Sequence, residues 1–373
     1  MKFVFTCGGT AGHINPALAV AGRLKELLPD AQFLFIGVEG KMEMRLVPLA
    51  GYEIRGLNMT YIQRGHDLHA LVHNLDTIKN VARSTREARQ ILQEFGPDAV
   101  IGTGGYICFP VLKAAEQLHI PRFVHESNAV PGLTTKLLAD HVDAVLLGLE
   151  ESRRYYRHPD RVIVTGTPVR GEFDLHTQES AKAALGLAPE EKLVVSVWGS
   201  LGASHMNHTM AELIPMLDGS QGFRLIHAAG SLYYKRLTEA LEVSAPDLER
   251  RGVEVREYIY DMPKVMAAAD LILCRAGAST ISELSYLGKP VVMVPSPNVT
   301  NNHQEKNARV LESAGGAEVL LEGEFDAASL LERIHRLLRD EDRLRAMSEA
   351  MRSLSADDAA GQIAQIILDR CAK

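Results

Sequence analysis

Cys7-Gly8-Gly9-Thr10-Ala11-Gly12-His13-Ile14-Asn15-Pro16 joins the apolar, β-rich run Lys2–Cys7 to Ala17–Leu28, where Leu18, Ala21, Leu24, Leu27 and Leu28 recur at helical spacing. A strand, a glycine turn and a helix in that order open a βαβ unit. The glycines let backbone N–H groups approach an anion, and the helix dipole favours negative charge at the same spot. Pro16 fits the first turn of the helix, where no internal donor is lost. His13 stands out, because a turn that only folds has no use for an imidazole. A titratable group beside an anion-accepting helix start points to proton chemistry on a phosphate-bearing substrate. The plainer alternative is a tight strand–helix connection with a surface histidine. The spacing matches neither the dinucleotide fingerprint Gly-x-Gly-x-x-Gly nor a P-loop, which a Gly-Lys-Ser/Thr would close.

The same grammar runs along the chain. Strand-like runs at Lys2–Cys7, Gln32–Gly37, Ala99–Gly102, Arg122–His125, Ala144–Leu147 and Arg161–Thr165 alternate with amphipathic helices. A second series follows at Leu193–Val197, Arg224–Ala228, Val253–Glu257, Leu271–Cys274, Val291–Val294 and Ala317–Leu320. Between them Gly166-Thr167-Pro168-Val169-Arg170 reads as a linker, because Pro168 biases Thr167 away from helix. The predicted class is α/β, with two Rossmann-like parallel-sheet domains and ligands at the carboxyl ends of their strands.

At 373 residues the chain suits two domains, on a prior of roughly 100–200 residues each. Its 46% apolar and 23% charged composition is that of a globular protein with ample core. A net charge of −7 argues against a nucleic-acid partner. Cys7, Cys108, Cys274 and Cys371 are far apart and form no Cys-x-x-Cys pair, which suggests neither a zinc site nor a disulfide framework and fits a reducing compartment. The chain enters a strand at once, so no signal peptide is expected, and no apolar stretch approaches the roughly 20 residues of a membrane span.

Four glycine-bearing turns follow predicted strands: Gly8–His13, Gly102-Thr103-Gly104-Gly105-Tyr106, Gly199–Ser204 and Arg275-Ala276-Gly277-Ala278-Ser279-Thr280. One such turn is ordinary turn chemistry. Four at the same end of the strands favour a phosphate-rich ligand. The fourth continues as Ile281-Ser282-Glu283, which sets a carboxylate in the first turns of a helix, suited to a ribose diol or simply to the helix dipole. Further on, Asn301-Asn302-His303-Gln304-Glu305-Lys306-Asn307-Ala308 suits hydroxyl recognition by amides, or reads as a polar helix start.

These motifs, with His125-Glu126-Ser127-Asn128, Pro131-Gly132 and Gly166–Arg170, occur in the order seen in the MurG family, which the chain resembles over nearly its whole length. The resemblance implies the GT-B fold, two Rossmann-like domains facing across a cleft. Residues 1–167 would form an acceptor and membrane-side domain, residues 168–355 the UDP-GlcNAc domain, and residues 356–373 would pack back on the first. It implies inverting transfer of N-acetylglucosamine from UDP-GlcNAc to the C4 hydroxyl of MurNAc in lipid I, giving lipid II for peptidoglycan. By the same resemblance Thr10, Ala11, Gly12, Asn128, Arg170, Ser200, Ile259, Ala278, Ser279, Thr280, Ile281, Ser282, Glu283 and Gln304 contact the sugar nucleotide. Physically, Arg170 and Ser200 suit phosphate, Ile259 a uracil face, Gln304 the sugar hydroxyls, and Asn128 the border with the acceptor. Gly8, Gly9, Gly104, Gly105 and Tyr106 form loops for the acceptor diphosphate. Ala11 stands where many members have glycine, and Gly37-Val38-Glu39-Gly40-Lys41-Met42-Glu43 departs from commoner versions and receives no role.

Inversion requires a base for the acceptor proton, and His13 is the first candidate and Glu126 the second. A histidine near its ordinary pKa is better matched to neutral pH than a glutamate. Helix starts, glycine-loop N–H groups and Arg170 suffice for the departing diphosphate, so no cofactor and no metal are expected. Asp340-Glu341-Asp342 spells a metal-like triplet, but flanked by Arg339 and Arg343 it reads as a solvated helix face. Between Asp67 and Gln90, Leu68, Leu71, Val72, Leu75 and Ile78 form an apolar stripe, with Lys79, Arg83, Arg86 and Arg89 just beyond. That stripe either packs into the core or docks on the cytoplasmic membrane surface, as a polyprenyl acceptor requires. The localisation implied is peripheral, on the cytoplasmic face of the bacterial membrane, with cell-wall or division proteins as further partners. Two other readings use the same donor motifs: a UDP-GlcNAc 2-epimerase, and a non-catalytic nucleotide-sugar-binding scaffold.

Overall fold

The computed structural model describes residues 1–59, 68–199, 201–299, 302–356 and 358–372, and of residues 68–79 the backbone alone. The chain divides into two compact units, Met1–Arg170 with Ala356–Lys373, and Gly171–Ser355. The first unit runs to Arg170 rather than Thr167, because Thr165–Pro168 remain buried within it. The Gly166 carbonyl accepts from His125 Nε2 at 3.1 Å, and a side chain on Gly148 would overlap Thr167.

In the first unit seven parallel strands lie in the order β3-β2-β1-β4-β5-β6-β7. They are β1 (Lys2–Thr6), β2 (Gln32–Val38), β3 (Glu53–Leu57), β4 (Ala99–Gly102), β5 (Arg122–Glu126), β6 (Ala144–Leu147) and β7 (Val162–Val164). Its helices begin with α1 (Ala11–Leu27), α2 (Glu43–Leu49), α3 (Leu68–Phe95), α4 (Cys108–Gln117) and α5 (Leu133–Leu138). The period of two in Phe3-Val4-Phe5 sends alternate side chains to opposite faces. Phe3 and Phe5 join Val20, Leu24 and Phe35 in one core, while Val4 joins Leu34, Leu92 and Leu112 in the other. Burial on both faces is why these strands read as continuous apolar runs.

The second unit holds six parallel strands in the order β10-β9-β8-β11-β12-β13. They are β8 (Lys192–Val197), β9 (Phe223–Ala228), β10 (Val253–Arg256), β11 (Leu271–Cys274), β12 (Val291–Met293) and β13 (Ala317–Val319). Helices α6 (Gln178–Ala184), α7 (Ser204–Leu213), α8 (Tyr234–Ser244), α9 (Met262–Ala268), α10 (Ala278–Leu287), α11 (His303–Ser313), α12 (Ala327–Arg339) and α13 (Glu341–Ser353) complete it. The last helix, α14 (Ala359–Cys371), belongs to the first unit. Its Ile363, Ala364 and Ile367 enter the same core as Phe3 and Phe5.

Two elements differ from the sequence reading. β3 pairs with β2 at the edge of the sheet, where only Leu57 is buried and Glu53 and Arg55 face solvent. Edge strands blunt themselves with charge, and that removes the apolar signature. Helix α1 starts at Ala11, so Pro16 lies inside it rather than in its first turn. The missing N–H then falls one turn in, where it withdraws the usual partner of the Gly12 carbonyl.

Strand order reverses once in each sheet, between β1 and β4 and between β8 and β11. The crevice at such a switch point is where open α/β sheets bind ligands. All four glycine turns follow these four strands, two at each switch point.

Candidate active site

At the first switch point the loops after β1 and β4 are in main-chain contact: Gly8 N–H donates to the Gly104 carbonyl at 3.2 Å. The backbone at Gly104 and Gly105 has φ of +121° and +89°, which only glycine adopts without strain. A Cβ on Gly105 would lie 2.5 Å from the Gly8 carbonyl oxygen, and one on Gly104 would collide with the His13 ring. His13 is thus held flat against a glycine of the second loop. Its Nδ1 lies 2.8 Å from the Gly8 carbonyl oxygen. A carbonyl only accepts, so Nδ1 carries the proton and Nε2 of the neutral ring keeps its lone pair. Thr103 Oγ1 donates to the His13 carbonyl at 2.7 Å and fixes the backbone beneath the ring. Thr10 is the N-cap of α1 but makes no side-chain cap bond, which leaves the first-turn N–H groups of Ala11 and Gly12 to a ligand.

Glu43 reaches this site from a segment to which the sequence assigned no role. Its side chain is fully buried at the start of α2. One oxygen accepts Val38 N–H at 3.0 Å and the other accepts Gly9 N–H at 3.1 Å. A side chain on Gly8 would sit 2.7 Å from the first of these oxygens. The only signal in the sequence was a carboxylate at a helix start, which the helix dipole explains equally well.

The loop after β5 is built around Glu126, which is 5% exposed. Its Oε1 accepts from Asn128 N–H at 3.1 Å and from Asn128 Nδ2 at 2.8 Å, and its Oε2 accepts Gly132 N–H at 2.9 Å. Most of the lone pairs of a carboxylate are thereby engaged in holding the turn. His125 is buried, with burial pushing its imidazole down from the ordinary value. Tyr106 and Asn128 are half-buried at the rims of their loops.

The second switch point has a different foundation. Asn207 Nδ2 donates to the Ala203 and Ala229 carbonyls at 3.0 and 2.9 Å, so its Oδ1 must accept from His227 Nε2 at 3.2 Å. His227 Nδ1 is then the acceptor of the Ser196 hydroxyl at 3.0 Å, which in turn accepts Trp198 Nε1–H at 2.8 Å. The chain of bonds is complete and uncharged, and burial drives the His227 pKa down to about 3. It grips both ends of the turn from Gly199 to Ala203, and Ser200 itself lies outside the described residues.

Opposite, α10 starts at Ala278 behind Gly277, which makes no side-chain cap bond. Ile281 is 4% exposed and faces the core, while Ala278, Ser279, Thr280, Ser282 and Glu283 are only partly buried. The Glu283 carboxylate adds to the burial that pushes the Cys274 thiol up to about 12. Arg275 ties this loop down, donating to the Val294 and Pro295 carbonyls at 2.9 and 3.2 Å and pairing with Glu322. Gln304 Oε1 accepts Ser296 N–H at 2.9 Å, so its free donors are those of the amide nitrogen. Ile259 is 1% exposed, so its side chain offers no face to a base and any contact runs through its main chain. Arg170 closes the first unit, half-buried.

On α3, Arg83, Arg86 and Arg89 are exposed, and Arg83 pairs with Glu87 at 2.8 Å. The side chains of Leu71, Leu75, Ile78 and Lys79 lie outside the described residues. Among the described residues no helix is long and apolar enough to cross a membrane. Asp340 caps α13 by accepting Arg343 N–H at 2.9 Å, and Asp342 pairs with Arg345.

The glycosyltransferase family 28 N-terminal domain matches residues 3–147 and the family 28 C-terminal domain matches residues 193–363. An Acetivibrio thermocellus protein named UDP-N-acetylglucosamine–N-acetylmuramyl-(pentapeptide) pyrophosphoryl-undecaprenol N-acetylglucosamine transferase is 42% identical over 370 residues, covering 99% of this chain and 98% of the relative. The solved structure of Acinetobacter baumannii MurG superposes with a TM-score of 0.75 at 26% identity, with 99% of each chain covered. The UDP-GlcNAc 2-epimerase of Neisseria meningitidis, solved with UDP-GlcNAc, shares the fold at a TM-score of 0.68 and 15% identity over 99% of this chain and all of the other.

Proposed function

The chain belongs to the MurG family within glycosyltransferase family 28, and from that premise we propose how its residues divide the work of the reaction. The reaction itself is N-acetylglucosamine transfer from UDP-GlcNAc to undecaprenyl-pyrophosphoryl MurNAc-pentapeptide, on a GT-B fold of two parallel-sheet domains. The first unit takes the acceptor and the second takes the donor.

His13 is the base. The observation that carries this is the bond from Nδ1 to the Gly8 carbonyl, which leaves Nε2 as the basic nitrogen. The acceptor C4 oxygen attacks C1 of the sugar as its proton passes to Nε2. The bond from C1 to the phosphate oxygen breaks, its electron pair leaves with UDP, and the anomeric centre inverts. Glu126, with both oxygens holding the Asn128–Gly132 turn, shapes the acceptor border instead of taking the proton.

UDP sits at the second switch point. The uncapped starts of α7 and α10 offer N–H groups to the diphosphate, and the Ser200 hydroxyl and the Arg170 guanidinium are chemically suited to its phosphates. Glu283 accepts from the ribose diol, the Ile259 main chain meets uracil, and the Gln304 amide nitrogen donates to a sugar hydroxyl. Ala278 to Ser282 line the path, with Ile281 serving as their anchor in the core. Thr10, Ala11 and Gly12 contact the sugar nucleotide, and Gly8, Gly9, Gly104, Gly105 and Tyr106 flank the acceptor diphosphate. The basic side of α3 docks on anionic lipid at the cytoplasmic face, where the polyprenyl acceptor resides.

The test is single-turnover transfer of labelled GlcNAc to a soluble lipid I analogue. His13→Ala should lower the rate roughly 10²–10⁴-fold and leave UDP affinity unchanged in calorimetry. A folded variant with near-normal turnover would move the base role elsewhere.

A further inference from the structure

Glu43 and His13 hold opposite sides of one peptide group. The Gly9 N–H that donates to Glu43 at 3.1 Å and the Gly8 carbonyl that accepts from His13 Nδ1 at 2.8 Å belong to the same peptide bond. We propose that Glu43 is a positioning residue for the transfer reaction, acting on His13 through the Gly8–Gly9 peptide.

The geometry of a trans peptide makes the coupling direct. Its N–H and C=O point in opposite directions from one resonant unit. A carboxylate on the N–H draws the proton and pushes electron density toward the oxygen, and hydrogen bonds in series strengthen one another in a low-dielectric interior. The Gly8 oxygen therefore holds the imidazole N–H more firmly, selects the tautomer with a free Nε2, and favours the positive ring that forms when Nε2 takes a proton. A buried carboxylate on a catalytic histidine does the same in hydrolase triads, there by direct contact. Here a peptide is inserted between the two, and Glu43 itself takes no proton.

Three features fit this role better than that of a structural acid. Glu43 is fully buried, so its charge is not screened by water. Its other oxygen is pinned by Val38 N–H at 3.0 Å, which leaves the carboxylate one orientation. The space around it is cleared by glycine, since a Cβ on Gly37 would lie 2.6 Å from its Cγ and one on Gly8 2.7 Å from an oxygen. On the far side of the ring, a Cβ on Gly104 would strike His13. The imidazole is thus fixed by a polarised carbonyl at its edge and a bare backbone at its face.

This inference rests on the reading of His13 as the base, and the experiment separates the two. Glu43→Gln keeps the shape but presents one acceptor and one donor to two N–H groups, so one bond is lost. Nitrogen-15 spectra of histidine-labelled full-length protein read the ring tautomer without any turnover. The wild-type neutral ring of His13 should carry its proton on Nδ1, and Glu43→Gln should shift population to the Nε2–H form. The kcat of Glu43→Gln should fall on the order of 10–100-fold with the KM for UDP-GlcNAc held. In a His13→Ala background the same substitution should change kcat by less than about twofold, since its effect runs through the missing ring. Glu43→Asp, shorter but charged, should retain more activity than Glu43→Gln and serves if the latter misfolds. A folded Glu43→Gln with an unmoved tautomer, or an equal loss in the His13→Ala background, overturns the role of Glu43 alone. Full turnover by His13→Ala would overturn the base reading and with it the part of Glu43 in the reaction.

Discussion

The two switch points share a topology and differ in what stands behind their glycine loops. Behind the loops after β1 and β4 lie a carboxylate and an imidazole, Glu43 and His13, joined through one peptide. Behind the loop after β8 lies an uncharged chain, Trp198 to Ser196 to His227 to Asn207, in which every donor and acceptor is matched. On the proposed reading, the first arrangement holds a group whose charge changes during the reaction. On the same reading, the second holds a backbone whose shape stays fixed while a charged ligand binds. Histidine serves both, and the difference lies in burial: His13 is partly open, whereas His227 is fully buried and held neutral. On that reading a glycine loop at a switch point is a frame, and the side chains beneath it set whether it serves proton transfer or anion binding.

If that division is right, substitutions at the two points should fail in opposite ways. Gly104→Ala should have the largest effect, because the new methyl occupies the place of the His13 ring at a position with φ of +121°. A displaced catalytic group costs on the order of 10²-fold or more in kcat. UDP affinity, measured by calorimetry, should be untouched, and a parallel loss of UDP binding would break the separation of roles.

Glu283→Ala should show the reverse pattern. UDP binding should weaken by about 1–3 kcal/mol, the range for a charge-assisted hydrogen bond, while chemistry at saturating donor changes little. Unchanged UDP affinity in the folded variant would remove Glu283 from the donor site.

The smallest effect concerns acid stability of the second unit. An unfolded histidine titrates near 6.5, whereas folded His227 titrates near 3. Between those values the unfolded chain binds the additional proton, so the stability due to neutral His227 is present above about 6.5 and is lost as pH falls through the window. Melting temperature should drop from pH 7 to pH 5, and His227→Gln should flatten that dependence. An identical slope in the variant would mean that the network titrates with other groups and is not the neutral clamp described.

Much of this architecture was legible in the chain itself. Strand and helix periods and the four glycine turns are local signals, set by side-chain alternation and the freedom of glycine at positive φ. The β3 strand was not legible, because an edge position leaves only Leu57 buried and its charges mask the alternation. Ile259 read as a face for a base, but burial turned its side chain into the core. The role of Glu43 was invisible for a further reason. It depends on a carboxylate meeting an amide 34 residues away, and the neutral tautomer of His227 depends on Ser196, 31 residues away. The sequence by itself determined where the backbone could turn and which faces would be apolar, because those preferences reside in neighbouring residues. The tertiary structure alone decided which polar groups became partners, because a hydrogen bond requires two atoms within about 3 Å and chain order does not specify which distant atoms meet.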